Sequence, residues 1–338
     1  MIIGLEQVKE IWGQHLNDEY MFQVYIHSPF CKSICKFCAY QGKPLAQAAY
    51  DAYYGKYLPH LIKSFSDIIS SREVDAFYFG GGTPSLMGLA DMEAIFSMIP
   101  DFKSVSNKYF EIHPTFFDIQ KIELLKEYNF QTVMFGVQTF NKDEIKRMNR
   151  VEQDFDHVVK LVVRAKELGL KIGIDLLLWD SNPTLYEDMI KAADMGFDVI
   201  FAAIDYNMKY ISKEYLDYFV ESIQRFASEK EYVFNRSISI AEDIKDSGNI
   251  RLFKEGQESY TQQGVFQYDS SFHVCDNEMV ATLALGSYGK QMVPTTSSIG
   301  SKIIYQEIND NWKPAFNLVK KREPFVWKIG PVAQRIRA

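Results

Sequence analysis

Between residues 21 and 205, six short runs rich in β-branched and aromatic residues alternate with longer segments whose apolar positions recur at helical spacing. Strands are expected at 21–27, 74–79, 109–113, 132–137, 171–178 and 199–205, and helices at 45–71, 89–99, 117–128, 154–168 and 185–195. Alternation of this kind requires parallel strands joined by right-handed crossovers. A closed or partly closed barrel satisfies it, and so does an open doubly wound sheet. The polar and glycine-rich sequences fall at the C-terminal ends of at least five strands. A cysteine-bearing loop follows 21–27, a glycine run follows 74–79, and Glu111, Gln138 and Asp175 lie near the ends of the next three. A barrel gathers all those ends around one mouth, whereas an open sheet gathers mainly those beside its switch point. The expected fold is therefore α/β, a partial (β/α)6 barrel.

Residues 211–230 read as one more helix and 232–240 as a strand. Residues 1–20 are polar and weakly patterned, an N-terminal extension to a core of 21–230. From 231 to 338 the pattern weakens around Gly248, Gly256 and Gly264, and a small C-terminal substrate-side or capping region is expected.

Charge and hydropathy exclude several classes of function. A formal net charge of −7 argues against a general nucleic-acid binder, whose phosphate contacts need a basic surface. Residues 313–338 hold seven Lys or Arg against Glu323 alone, a formal +6 that leaves −13 for the rest. That tail is a solvated basic end, or it docks an acidic partner or substrate. No apolar run approaches the roughly 18 residues of a membrane span. The N-terminus lacks the basic and apolar regions of a secretory signal. A cytoplasmic protein with no membrane partner is expected.

Of the four cysteines, Cys31, Cys35 and Cys38 fall within eight residues, while Cys275 stands alone. A disulfide framework spreads its cysteines to staple distant loops. Thiols packed into one loop indicate metal or redox chemistry in a reducing compartment. Three thiolates supply only three bonds to a metal centre. A structural zinc takes four protein ligands, so His27 or Cys275 would have to complete the set. An iron–sulfur cube held by three cysteines leaves one iron open to a small molecule. Spacing alone leaves both possibilities standing.

The wider sequence separates them. The C-x3-C-x2-C spacing, with Phe37 before the last cysteine, resembles the signature of the radical S-adenosylmethionine (SAM) superfamily. The string Tyr25-x-His27-x-Pro29-Phe30-Cys31 is similar to the oxygen-independent coproporphyrinogen oxidase-like branch. Further matches follow in that family's order: Gly80-Gly81-Gly82-Thr83-Pro84, Glu111-Ile112-His113-Pro114 and Gly136-Val137-Gln138-Thr139-Phe140-Asn141. After these come Met148-Asn149-Arg150 with Gln153, and then Gly173-Ile174-Asp175-Leu176. The resemblance covers about residues 21–206.

By this resemblance, Cys31, Cys35 and Cys38 ligate a [4Fe–4S] cluster, whose open iron chelates the methionine part of SAM. One SAM molecule is implied, or two where a second donates a methyl or methylene group. Gly81, Gly82 and Thr83 receive the SAM amino group, and glycines at a strand end let backbone approach a ligand closely. Tyr25, Phe37, Glu111, Gln138, Arg150 and Asp175 match positions around bound SAM. A carboxylate accepts from ribose hydroxyls, and an arginine fork holds a carboxylate. The implied partners are a small organic substrate and an electron donor such as flavodoxin or ferredoxin. His27, His113 and Cys275 are candidates for catalysis. Each has a plainer reading, as a hydrogen-bonded core histidine or a small buried thiol.

The substrate end departs from the family. Tyr40 stands where the oxidases carry a fourth cysteine. The stretch Phe272–Asn277 lacks the His-Asn…Tyr-Trp motif of the heme chaperones. Leu283–Gly289 looks like a degraded form of the glycine-rich stretch that follows it there, and Trp179–Pro183 replaces a Gly-Leu-Pro turn. The first expectation is an enzyme that cleaves SAM to a 5′-deoxyadenosyl radical and oxidises, methylates or alkylates a small organic substrate, of the tetrapyrrole or aromatic kind. A heme-binding chaperone with little radical chemistry is the second, and a zinc-stabilised barrel the third.

Overall fold

The computed structural model describes residues 2–16, 21–38, 42–179, 184–204, 213–233, 249–254, 280–286, 290–295, 300–308 and 314–322. The six expected strands form as β1 (Met21–Ser28), β2 (Ala76–Gly81), β3 (Lys108–Ile112), β4 (Thr132–Gln138), β5 (Lys171–Leu178) and β6 (Val199–Ile204). All are parallel, and each pairs with its chain neighbour. Sequential order has no switch point, which distinguishes it from a doubly wound sheet. A seventh parallel strand, β7 (Val280–Leu285), lies beside β1 and sets Leu283 against Val24 and Leu285 against Ile26. Sequence patterning assigns no strand there, and β7 brings part of the presumed C-terminal region into the core sheet.

Alternation along each strand determines what faces what. The outward residues Phe22, Val24, Phe77, Phe79, Phe110, Val133, Phe135, Ile172 and Ile174 are buried against helices. Those helices include Leu89–Met98, Ile119–Glu127, Phe155–Glu167, Leu185–Asp194 and Lys213–Lys230. Phenylalanines fill the layer between sheet and helices, with Phe79 5.1 Å from Phe96, and Phe96 5.2 Å from Phe130, between ring centroids. The opposite face carries Gln23, Tyr78, Glu111, Met134, Gln138, Asp175, Leu177 and Phe201, all only half-buried. One face of the sheet is a packed core and the other is less completely buried.

The helix expected over 45–71 is divided. It runs as Gln47–Ala52, a wider π turn at Tyr53–Tyr57, then Leu58–Ser64 and Ser66–Ser70. Pro59 explains the π turn, because a proline lacks the N–H for an i→i−4 bond and its ring crowds the carbonyl four residues back. Here the Leu58 N–H reaches back five residues to Tyr53 O. Buried Tyr53 and Tyr54 thereby face the end of β1: the Tyr53 hydroxyl donates to His27 O, and the Tyr54 hydroxyl lies 2.5 Å from Ser28 Oγ. Single π turns of this kind recur at functional sites.

The N-terminal segment is structured. Ile2–Ile3 pairs antiparallel with Pro314–Arg322, and the helix Leu5–Gly13 buries Val8 and Trp12, the latter 5.6 Å from Phe22. Beyond β7, Lys290–Thr295, Gly300–Ile308 and Pro314–Arg322 continue the sheet as an antiparallel meander. At the other edge, Asn249–Lys254 pairs antiparallel with β6, and Tyr232–Val233 with it in turn. Of the strand expected over 232–240, only this start lies among the described residues. Part of the basic tail, Pro314–Arg322, is strand, and 323–338 lie outside the described residues.

Candidate active site at the barrel mouth

The cysteine loop leaves β1 at Ser28 and is held on two sides. Phe30–Cys31 forms a short parallel ladder with Lys43–Pro44, closed by Lys43 N donating to Pro29 O (2.7 Å) and Leu45 N to Cys31 O (3.0 Å). Its far side rests on the turn after the helix Lys142–Arg147. Lys36 N donates to Met148 O (2.9 Å), and Asn149 Nδ2 to Ile34 O (2.9 Å). That helix starts on Asn141, whose side-chain oxygen accepts from the backbone of Asp143 and Glu144.

Cys31, Cys35 and Cys38 are half-buried thiols outside any disulfide, and they line one pocket with Phe37, Gly82, Thr83, His113, Phe116 and Arg150. Burial raises the Cys31 thiol pKa above its ordinary value. A hydrogen bond with the Thr83 side chain and the Arg150 charge oppose that, while Cys35 adds to it. Arg150 donates through Nη2 to Gly136 O, and its Nη1 lies 3.7 Å from Cys35 Sγ. Its Nε has no hydrogen-bond partner. Burial lowers the guanidinium pKa, and the Cys35, Asp175 and Cys38 charges oppose that shift.

The glycine run passes close beneath this loop. Gly81 has φ +114°, and a Cβ there would come within 2.7 Å of the His27 ring and of Ser28 O. A Cβ on Gly82 would stand 2.7 Å from Phe30 O and 2.9 Å from Cys31 Sγ. Only glycine lets β2 end this near the thiols. Next to it, Glu111 accepts from the Tyr78 hydroxyl and from the Gly81 N–H. Burial first, and the Asp175 charge after it, push the Glu111 carboxyl up to about 7. The Tyr25 hydroxyl meets His27 Nδ1 at 3.1 Å, and the Tyr25 ring stacks on Tyr78 with centroids 5.8 Å apart. Burial pulls His27 down to about 3.

Gln138 ends β4 at a bulge with φ +75°, an uncommon conformation for a residue with a side chain. Asp175 sits on β5 opposite Gly136 of β4 and Phe201 of β6. Of the residues singled out from sequence, Cys31, Cys35, Cys38, Phe37, Gly82, Thr83, Arg150 and His113 share the pocket. Tyr25, His27, Gly81, Glu111, Gln138 and Asp175 lie on strands around it, outside its lining. Cys275 and Tyr40 lie outside the described residues. Sequence reasoning passed over Tyr78. Its signal is positional, a polar-tipped residue between the outward Phe77 and Phe79, hence on the face of Glu111.

His113 is distinctive within the pocket. It is 8% exposed, and neither ring nitrogen has a hydrogen-bond partner on another residue. Burial and Arg150 pull its pKa down to about 2, so the ring is neutral. An unpaired buried polar group costs about 1–3 kcal/mol.

Residues 25–182 match the family model of the Radical SAM superfamily. The chain is 32% identical over 190 residues to the oxygen-independent coproporphyrinogen III oxidase of Helicobacter pylori strain J99, a match covering 53% of this chain and 41% of that protein. It is 28% identical over 170 residues to heme chaperone HemW of Bacillus subtilis strain 168, covering 49% and 44% respectively. The structure of coproporphyrinogen III oxidase from Escherichia coli aligns with a TM-score of 0.71 at 17% identity, over 90% of this chain and 70% of that one, a likeness of fold. By that match, residues 25–182 form a radical SAM region. Its similarity is to the branch of these oxidases and heme chaperones, at about 30% identity over about half of the chain, and its matches span less than half the length of the two curated relatives.

A radical SAM region implies a [4Fe–4S] cluster and SAM, and the pocket fits both. Among the described residues, no three His, Cys, Asp or Glu side chains are arranged to hold a metal ion. A tetrahedral zinc with bonds of about 2.3 Å needs its sulfurs within about 4 Å of one another. A cube gives each thiolate a different iron and so suits thiols that share a pocket without converging on one point. The Arg150 guanidinium beside them, with Nε unpaired, is suited to an anionic ligand.

Proposed function

We propose that this protein is a radical SAM enzyme that modifies a small organic substrate. The observation that carries this reading is the pocket itself, where three half-buried thiols, the close-approaching Gly82 and an Arg150 with Nε unpaired meet at the barrel mouth. Cys31, Cys35 and Cys38 would hold the cluster. With SAM bound and an electron from an external carrier, it would supply a 5′-deoxyadenosyl radical that takes a hydrogen atom from the substrate. The substrate would then be oxidised, or methylated or alkylated with a group donated by a second SAM molecule. The remaining roles belong to the chain. Backbone at Gly81 and Gly82 with the Thr83 side chain receives an ammonium group, and the Arg150 fork faces a carboxylate. Asp175, and the remaining acceptor positions of Glu111 beside its Tyr78 and Gly81 bonds, accept from sugar hydroxyls, and Tyr25, Phe37 and Gln138 shape the walls.

The half-buried inner face, with Tyr78, Met134, Leu177 and Phe201 beside Glu111 and Asp175, offers a partly aromatic surface to the substrate. A tetrapyrrole or another aromatic molecule suits such a surface, and relatives named for coproporphyrinogen and heme support that class. The reaction needs one electron at a time from outside, from a carrier such as flavodoxin or ferredoxin. Clustered reduced thiols suit the cytoplasm, and no helix among the described residues is long and apolar enough to cross a membrane.

Anaerobic reconstitution with iron and sulfide, followed by SAM and a strong reductant, tests the reading. Four irons and 5′-deoxyadenosine are expected, and protein that takes up no iron defeats it. Cys31→Ala should abolish the brown colour. Arg150→Ala should keep the cluster and weaken SAM binding about 10- to 100-fold, the worth of a charged hydrogen bond. Unchanged SAM affinity would remove Arg150 from the site. Stoichiometric heme binding without SAM cleavage would favour a chaperone instead.

A further inference from the structure

His113 ends the strand that carries Glu111, and its ring enters the pocket of the three cysteines. Its backbone is fixed from both sides: His113 N donates to Ser85 Oγ (2.9 Å), and the Ser85 hydroxyl donates to His113 O at 3.3 Å. The Phe116 ring, 4.8 Å away between centroids, limits how the imidazole can turn. The residue is more than nine-tenths buried, and neither ring nitrogen has a well-formed hydrogen bond to another residue, its own backbone being the nearest polar group. A neutral imidazole carries one N–H donor and one bare nitrogen. Water or protein satisfies most buried polar groups, so an unsatisfied donor in a pocket indicates what the pocket receives. The charged groups lining this pocket are Arg150 and Lys32, and neither, having donors only, offers the N–H an acceptor.

We propose that His113 is a positioning residue whose ring N–H donates a hydrogen bond to an anionic acceptor of the group held by the cysteine pocket, either a cluster sulfur or the SAM carboxylate. This rests on the function proposed above. A donor to sulfur favours the reduced, more negative state and so raises the reduction potential. A donor to the carboxylate strengthens SAM binding and leaves the potential of the SAM-free cluster unchanged.

Full-length wild type, His113→Leu, His113→Phe and His113→Asn are reconstituted anaerobically and their iron content is measured. Midpoint potentials come from dye-mediated titration followed by electron paramagnetic resonance, and SAM affinities from equilibrium dialysis. Leu and Phe should lower the potential or weaken SAM binding at least tenfold, and Asn, whose amide still donates, should recover most of the loss. A lower potential identifies sulfur as the acceptor. Lost affinity at an unchanged potential identifies the carboxylate. Apolar variants with wild-type potential and affinity would overturn the inference, as would an Asn variant no better than Leu, since packing alone would then explain the residue. Phe preserves ring shape, so the comparison survives if Leu fails to fold. Wild type without iron would overturn the proposed function itself, a result distinct from iron-loaded variants that show no change.

Discussion

Glu111 shows how much a single residue's setting can change its chemistry. On sequence it is an acid near a strand end, which predicts an ordinary carboxylate. In the fold, burial and Asp175 raise it from 4.5 to about 7, against the pull of the Tyr78 hydroxyl and the Gly81 N–H. Between those two values the folded chain keeps a proton that the unfolded chain has released. Stability from this group is therefore full below about pH 4.5 and lost as pH rises through about 7. Glu111→Gln removes the titration, so the loss of stability from pH 5 to pH 8 should shrink by about 1–3 kcal/mol. Urea unfolding of both proteins at the two pH values measures this, and an identical pH dependence would contradict it. His113 and Tyr78 belong to the same scale. The motif around His113 was legible in sequence, but its unpaired nitrogens were not, because hydrogen-bond satisfaction depends on what other strands bring nearby.

Among the elements, the turns that follow the strands do most to shape the site. Thr83 leads into the turn Pro84–Leu86, and His113 leads into Pro114–Phe116. A buried lysine from a helix ties the two together. Lys121 Nζ donates to Ser85 O (2.9 Å) and Phe116 O (3.0 Å). Lys121→Met keeps the apolar stem and removes both bonds. It should cost about 1–3 kcal/mol by leaving two carbonyls without this donor. Guanidinium denaturation measures the cost, and a neutral result would show that water replaces the ammonium. The glycine and Glu-x-His-Pro motifs locate these turns in sequence, but nothing in the pattern marks Lys121 as their tether, since lysine at a helix start usually reads as solvated. Similarly, helical spacing over 45–71 locates a helix correctly, while its π turn depends on Pro59 and on where Tyr53 and Tyr54 find partners.

For the molecule as a whole, β7 closes one flank of β1, the strand that leads into the cysteine loop, with residues more than 250 positions away from it. Leu283 and Leu285 are fully buried there. Leu283→Ala should destabilise the protein by about 2–5 kcal/mol, as buried leucine truncations do. A single cooperative denaturation curve, shifted as a whole, is expected, and an early separate phase would show that the C-terminal strands fold apart from the barrel. The sequence by itself determined the six chain-consecutive parallel strands, the helices between them, the cysteine loop after β1 and the motifs at the strand ends. Each of these depends on periodicity or spacing within a few dozen residues, where side-chain alternation and turn chemistry act locally. Tertiary structure alone decided the recruitment of β7, the pairing of the N-terminal Ile2–Ile3 with Pro314–Arg322, the Tyr78–Glu111 contact and the unsatisfied His113. A short strand carries too little pattern to name its neighbour. Its partner is chosen by the apolar area and the backbone hydrogen bonds that distant segments satisfy together.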